Sequence, residues 1–458
     1  MTGSRSVEYP AYGTLSPMMK AVTLTDSADD VGAWPAPRAT AELDAVVGVP
    51  GSKSMTNRAL ILAALADGPS RIEAPLHARD TALMVAALRA MGTEIAAGAD
   101  GSWVVTPTQL AGPADVDCGL AGTVLRFVPP VATLARGPIR FDGDPRIRER
   151  PNAPLITALR ELSAEIDDGG RGAAPFVVHG AGGLTGGSVS LDATGSSQLI
   201  SGLLLAAARF DHGIEVTAVD SVPSAPYLDM NIAMLRARGV SVEAEQGWWR
   251  VHPGVVRGQD AAIEPDLNTA APFAAAALVT GGRIVVSGWP DSTTQPGGQL
   301  PRWLTAMGGH CDVSPAGLTV TGGSRISGID ADLSEVSELV PVLAALAALA
   351  DSPSRFTGVA HIRGHETDRI TALATELSGC GAEVDELPDG LVITPRALHG
   401  RLFATYDDHR LVMAAAVLAL AVDGIVVGGA STVAKTMPDF THCWESMVAG
   451  IDGSPTIE

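Results

Sequence analysis

Six times along the chain an Ala/Leu-rich helical segment opens a unit of roughly 70 residues, and this repetition constrains the fold more than any other feature of the sequence. SMTNRALILAALADG opens the first unit, LAGTVLRFVPPVATLARG the second and SSQLISGLLLAAARF the third. NTAAPFAAAALVTGG, SEVSELVPVLAALAALAD and DHRLVMAAAVLALAVDG open the fourth, fifth and sixth. A short β-branched strand, a loop with Pro, Asp or Arg, a second helix and a closing strand follow, and the sixth unit is shortened. The opening helices are expected to begin near Ser54, Leu120, Ser196, Asn268, Ser334 and Asp408. They are apolar on more than one face, so each has to be surrounded by neighbours. Six such units in 458 residues predict an α/β fold of two domains, three units each, with the break near Pro265. The expected division is a flexible leader over 1–36, a first domain over 52–264, and a second built from 37–51 plus 265–458. The strand Ala45–Val49 is assigned to the second half, because the sixth unit has no closing strand of its own. The final DGSPTIE reads as a loose tail.

Composition narrows the function classes. A chain with 46% apolar residues, 4% aromatics and 51 glycines suits a packed α/β protein with many tight turns and excludes a disordered one. No apolar run is long enough to span a bilayer; Leu339–Ala350 is about a dozen residues. The polar N-terminus lacks the apolar segment of a signal peptide, and the four cysteines have no metal-ligand spacing, which together point to the cytoplasm. The net charge of −20 disfavours nucleic acid as a partner and makes local clusters of Arg and Lys more informative.

Such clusters recur at helix starts and strand-to-helix loops. GSKSMTNR puts Lys53, Ser54 and Arg58 into the first turns of an apolar helix. It is not a nucleotide phosphate loop, because Ser52 precedes the Lys and position 47 is Val where that motif needs Gly. A helix start with free N–H groups and a positive dipole end attracts anions without that motif. Equivalent spots carry Gly122 and Thr123; Arg146, Arg148 and Arg150; Ser196, Ser197 and Gln198; Ser224 and Tyr227; and Glu338. In the last units they carry Arg363, His365, Glu366 and Arg369; Asp408, His409 and Arg410; and Lys435. Guanidinium forks match phosphate and carboxylate geometry, and hydroxyls and amides suit an oxygen-rich ligand. Taken singly each motif has a blander reading: DPRIRERP as a solvated basic loop, HETDR as an ordinary helix entrance, SSQ as a common helix-start trio. Their repetition at one structural position favours an enzyme for small polyanions bound between two domains that can close. His361 and His365 lack a third partner at metal-like spacing, and Cys118 reads as a small packing residue.

PGSKSMTNRALILAALADG, CGLAGTVLRF, DPRIRERP, GSSQLISGLLLAA, SVPSAPYLDM, HETDRITALATEL, DDHRLVMA and ASTVAKTMPDF occur in an order that resembles the EPSP synthase family, from about Pro37 to about Val448. The resemblance implies a two-domain inside-out α/β barrel, each domain made of three βαβαββ units. It implies transfer of the enolpyruvyl group of phosphoenolpyruvate to the 5-hydroxyl of shikimate 3-phosphate on the way to chorismate, with no metal or organic cofactor and glyphosate as an inhibitor. By motif, Lys53 resembles the residue touching both substrates. Ser54, Arg58, Ser196, Ser197, Ser224, Glu338 and His365 look like contacts to shikimate 3-phosphate. Gly122, Thr123, Arg150, Arg369, Arg410 and Lys435 look like the phosphoenolpyruvate site, with Gln198 between the ligands. Glu338 resembles the catalytic carboxylate near the shikimate hydroxyls, and Glu366 or Lys53 the group that protonates carbon. The sequence departs from many relatives at Glu338 (commonly Asp), His365 (commonly Lys), His361 (commonly Asn), Leu120 and Phe127. His365 is expected to titrate near neutral pH.

The implied chemistry explains the residue types. The two substrates bring roughly six negative charges into one site, which Lys53, Arg58, Arg150, Arg369, Arg410, Lys435 and helix N-termini would balance. Addition followed by elimination needs a group that both gives and takes a proton, either a carboxylate with a raised pKa or a lysine with a lowered one. A rival enolpyruvyl transferase acting on UDP-N-acetylglucosamine typically has a reactive Cys in the loop matching FDGDPRIRERP, where this chain has none. A non-catalytic repeat binding protein would scatter its polar residues between units. The chain is expected to be a monomer without membrane or nucleic-acid partners.

Overall fold

A computed structural model describes residues 32–451. Six helices form the interior: Lys53–Ala64, Gly122–Ala132, Gln198–Ala206, Leu267–Thr280, Val340–Ala348 and His409–Ala419. Every residue of Gly122–Ala132, Val340–Ala348 and His409–Ala419 is buried. The first three helices pack on one another, and so do the last three. The buried apolar side chains accordingly fall into two clusters, one over residues 59–263 and one over 34–49 and 267–447. We call these the first and second lobes.

Five four-stranded sheets and one three-stranded sheet flank the helices. The sheet of the second unit shows the wiring. Ala114–Asp117 runs parallel to Arg136–Asp142, with a core helix between them in sequence. Arg136–Asp142 is antiparallel to Phe176–Ala181, which pairs in a hairpin with Glu165–Asp167. The parallel step needs a crossover, which the core helix supplies; the second helix, Ala153–Glu161, returns the chain to the sheet, and the hairpin itself needs only a turn. The hairpin gives each four-stranded unit one strand more than the sequence pattern revealed.

Three edge strands come from outside their own units. Asp44–Val47 runs parallel to Arg283–Val286 and so completes the fourth unit, not the sixth. Ala261–Ala262 runs parallel to Ser70–Glu73 and completes the first. The three-stranded sheet of the sixth unit is closed by Trp34–Pro35, antiparallel to Val426–Val427. This corrects the expected leader: residues 32–36 belong to the folded body, whereas 1–31 and the DGSPTIE tail lie outside the described residues. Trp34 is held there by packing on Phe440, with ring centroids 6.3 Å apart, and by its indole N–H donating to Glu445 Oε1 at 2.7 Å. A buried indole with a satisfied N–H anchors a segment far better than the two backbone pairings alone would.

Close approach of core helices also fixes one glycine. A Cβ on Gly202 would stand 2.0 Å from the backbone oxygen of Arg126 on the neighbouring helix. Gly202→Ala is expected to push these helices apart and lower stability by about 1–3 kcal/mol. Chemical denaturation of the variant beside the wild type measures this, and an unchanged midpoint would contradict the packing described.

Candidate active site

A helix that is buried all round can meet polar partners only at its ends, so its first N–H groups must be satisfied there. Ser52 caps Lys53–Ala64 through Met55 N. Asp266 caps Leu267–Thr280, accepting from Asn268 N at 3.1 Å and Thr269 N at 3.0 Å. Its other oxygen accepts from Lys53 N at 3.1 Å, which ties helix starts of both lobes together where the chain crosses between them. Asp408 caps His409–Ala419 through Arg410 N at 2.9 Å. Gly122–Ala132 starts at Ala121, whose side chain cannot cap, so those amides stay open to an anion.

The second lobe contributes a dense ion network. Arg369, fully buried at the start of Arg369–Gly379, donates to Asp408 Oδ2 and Oδ1 at 2.7 and 3.2 Å. It also meets Glu366 Oε2 at 3.1 Å and Glu338 Oε1 at 3.2 Å. Arg410 Nε donates to Glu338 Oε2 at 3.1 Å, and Lys435 Nζ donates to Glu366 Oε1. Arg369 Nη1 lies 3.0 Å from His365 Nδ1. Since the guanidinium can only donate, that ring nitrogen accepts and the imidazole is neutral.

The first lobe contributes hydroxyls and guanidinium groups. Arg150 follows the 3-10 segment Pro145–Glu149, and a Cβ on Gly122 would come within 3.0 Å of its guanidinium. Gly122 therefore makes room for Arg150 directly. Arg126, buried on the same helix as Gly122, donates to Gln198 Oε1 at 3.0 Å and Ser196 Oγ at 3.3 Å. The Nε atoms of both Arg126 and Arg150 are buried and without partners. Thr123 Oγ1 accepts from Asn57 at 2.8 Å. Arg58 is committed to the protein: it donates to Asn231, to Ser54 O at 3.0 Å and to Ser201 Oγ at 3.3 Å, under the rings of Phe127 and Tyr227.

These two sets meet. Ser224 Oγ lies 3.1 Å from Ser337 Oγ and 3.4 Å from His361 Nε2. Arg146 Nε donates to Glu366 O at 3.3 Å, and Asn268 donates to Tyr227 OH at 3.1 Å. Asp80 Oδ2 stands 3.7 Å from Lys53 Nζ and 3.9 Å from Lys435 Nζ. A continuous chain of charge contacts thus runs from Lys53 through Asp80, Lys435, Glu366, Arg369 and Glu338 to Arg410. Ser197 is buried beside Ser196 and Gln198 at the start of its helix.

Two placements were not readable from sequence. Arg126 sits inside an apolar helical run and carries no motif signal. Asp80 carries no motif signal. His409 is buried with both ring nitrogens unpartnered, and burial with the cations of Arg410, Lys53 and Lys435 keeps it neutral.

Electrostatics revise two expectations. Burial, reinforced by Arg369, pushes His365 down to about 3, so it does not titrate near neutral pH; burial likewise pushes His361 to about 4. Burial alone would raise Glu338, but Arg369 and Arg410 outweigh it and hold the carboxyl well below its ordinary range. Glu366 behaves alike, with burial outweighed by Lys435, Arg369 and Arg150. Neither carboxylate has the raised pKa expected of a proton donor. Lys53, lowered by burial with Asp80 opposing, moves in the direction a proton carrier needs. Burial, then Arg150, pushes Arg126 down to about 9. Burial raises the Cys118 thiol, which is thereby unreactive.

The model of the EPSP synthase (3-phosphoshikimate 1-carboxyvinyltransferase) family matches residues 37–444. A curated 3-phosphoshikimate 1-carboxyvinyltransferase from Kocuria rhizophila is 47% identical over 438 residues, covering 93% of this chain and 98% of that protein. Among solved structures, an EPSP synthase from Acinetobacter baumannii superposes with a TM-score of 0.78 at 25% identity, over 91% of this chain and 98% of the other. The enolpyruvyl transferase NikO from Streptomyces tendae shares the fold with a TM-score of 0.71 at 19% identity, over 91% and 97%.

Neutral, half-buried His361 and His365 set a pH dependence. Unfolded, each would titrate near 6.5. Between that value and the folded values of about 3 and 4, the unfolded chain binds the extra protons. Their contribution to stability is therefore complete above about pH 6.5 and is lost as pH falls, by roughly 1–2 kcal/mol per histidine at pH 5. Denaturant unfolding at pH 7 and pH 5 is expected to show this loss, and His365→Gln to reduce it; an equal loss in the variant would contradict the assignment.

Proposed function

The chain belongs to the EPSP synthase family, and from that premise we propose a division of labour among its residues for the family reaction. It is a transferase that moves the enolpyruvyl group of phosphoenolpyruvate to shikimate 3-phosphate in aromatic biosynthesis. The two buried clusters are read as the two domains of an inside-out barrel, 52–264 and 32–51 plus 265–451, working as a cytoplasmic monomer. The observation that carries the site assignment is the chain of charge contacts linking Lys53 to Arg410 across the lobes, with unpartnered buried guanidinium nitrogens at its edge.

On this reading Ser54, Ser196, Ser197 and Ser224 receive the 3-phosphate, and Arg58 fixes that wall from beneath. Arg150, Arg126, Gly122 and Thr123 receive phosphoenolpyruvate from the first lobe; Arg369, Arg410 and Lys435 close on it from the second. Gln198 lies between the ligands, and His361 and His365 line the shikimate side as neutral hydrogen-bonding groups. Lys53 gives a proton to the methylene carbon, which becomes a methyl group. Glu338 draws the proton from the 5-hydroxyl as its oxygen attacks the adjacent carbon. The tetrahedral adduct then returns a methyl proton to the Lys53 amine while inorganic phosphate leaves with the proton held by Glu338, which restores the double bond in the product and the starting state of both groups. Glu366 holds Lys435 and Arg369 in register and relays charge between them. Closure excludes water from these steps.

A coupled assay of phosphate release with phosphoenolpyruvate and shikimate 3-phosphate tests the reading. UDP-N-acetylglucosamine in place of shikimate 3-phosphate should give no release, and glyphosate should compete with phosphoenolpyruvate. Glu366→Gln is expected to lower kcat by about 100-fold or more while changing substrate affinity little; an unchanged kcat would remove Glu366 from the mechanism.

A further inference from the structure

Lysine is scarce in this chain. Of 31 basic Lys and Arg residues three are lysines: Lys20, Lys53 and Lys435. Lys20 lies outside the described residues. The other two come from opposite lobes and meet at a single carboxylate, with Asp80 Oδ2 at 3.7 Å from Lys53 Nζ and 3.9 Å from Lys435 Nζ. An ammonium can release its proton near physiological pH when its surroundings favour it, and a guanidinium cannot. Among the described residues both lysines therefore stand around one acid, and arginine serves elsewhere in the site.

Asp80 is built for that position. It sits in the first turn of Arg79–Ala90, where a negative charge is favoured by the helix dipole. That helix packs against Ala430–Lys435 of the other lobe. The side chain is buried, and its Oδ1 has no hydrogen-bond partner, with Arg79 Nε at 3.7 Å the cation nearest to it. Its distances to the two ammonium groups exceed hydrogen-bond length, so it attracts them without occupying their donor directions. Without a charge between them, Lys53 and Lys435 would repel in a site from which water is excluded. The other groups facing them are Glu366, which accepts from Lys435, and Glu338 and His409 at the same meeting point.

Resting on the transfer reaction proposed above, we propose that Asp80 is a positioning residue. Its carboxylate gathers the Lys53 and Lys435 side chains at one point as the lobes meet and holds them there until a substrate anion arrives. The role is carried by charge, so it differs from simple packing.

The scarcity of lysine makes the test direct. Protein labelled with 13C at lysine Cε gives three side-chain signals, assigned by Lys53→Arg and Lys435→Arg. In Asp80→Asn, removal of the negative charge should shift the Lys53 titration down by about one pH unit. The alkaline limb of kcat/KM should move the same way, and kcat should fall at least tenfold with KM for shikimate 3-phosphate within threefold. Asp80→Glu, which keeps the charge, should return the alkaline limb toward the wild type. If Asp80→Asn does not fold, Asp80→Ser, smaller and able to admit a water, takes its place with the same readouts. Lysine titrations and alkaline limb both unmoved would make Asp80 structural and overturn the proposal. A wild-type protein inactive toward the two substrates would sink the functional reading, while the lysine titrations would still decide whether Asp80 holds the pair.

Discussion

The structure depends on one constraint: a helix buried on every face can be approached only from its ends. Six such helices leave their N-termini as the places where polar chemistry can gather. Asp266 shows how far this reaches. One carboxylate caps the first helix of the second lobe and accepts from the backbone N–H of Lys53 in the first lobe. Fold connectivity, the junction between lobes and the placement of a candidate catalytic lysine therefore rest on a single side chain. The apolar helices cannot move their ends independently, so the site inherits the rigidity of two cores.

What was legible in the sequence followed from local periodicity. The six opening helices were visible because Ala/Leu runs apolar on all faces have few other uses, and five of the six start within two residues of the expected place. The fifth begins later because Ser337–Leu339 forms a 3-10 turn first, which is what carries Glu338 toward Arg369 and Arg410. Strand partners were not legible. Asp44–Val47 and Trp34–Pro35 are too short to declare their neighbours, and their pairing is decided by side chains more than two hundred residues away.

The site divides along the same line. Cations at helix starts could be read as a set because the background is acidic. Which acids would neutralise them could not. Arg369 is shared by Asp408, Glu338 and Glu366, an arrangement set by three separate segments. Arg126 was hidden because a guanidinium inside an apolar helix has the sequence pattern of an anchor residue, and only its unpartnered Nε beside Arg150 separates it from one.

The pairing pattern has a consequence for catalysis. In the second lobe the cations are already balanced by Glu338 and Glu366, whereas Arg126 and Arg150 in the first lobe hold donors that no protein acceptor uses. An incoming anion therefore meets free donors on one side and competes with carboxylates on the other. Any share of Arg369 or Arg410 that it takes is withdrawn from Glu338, whose ionised form those two residues maintain against burial. With less opposing charge, burial raises the carboxyl's affinity for a proton. On the proposed reading Glu338 is thus a stronger attractor of protons when phosphoenolpyruvate is bound than when it is absent. Binding and base strength are one electrostatic variable, because the same guanidinium groups hold both the carboxylate and the substrate.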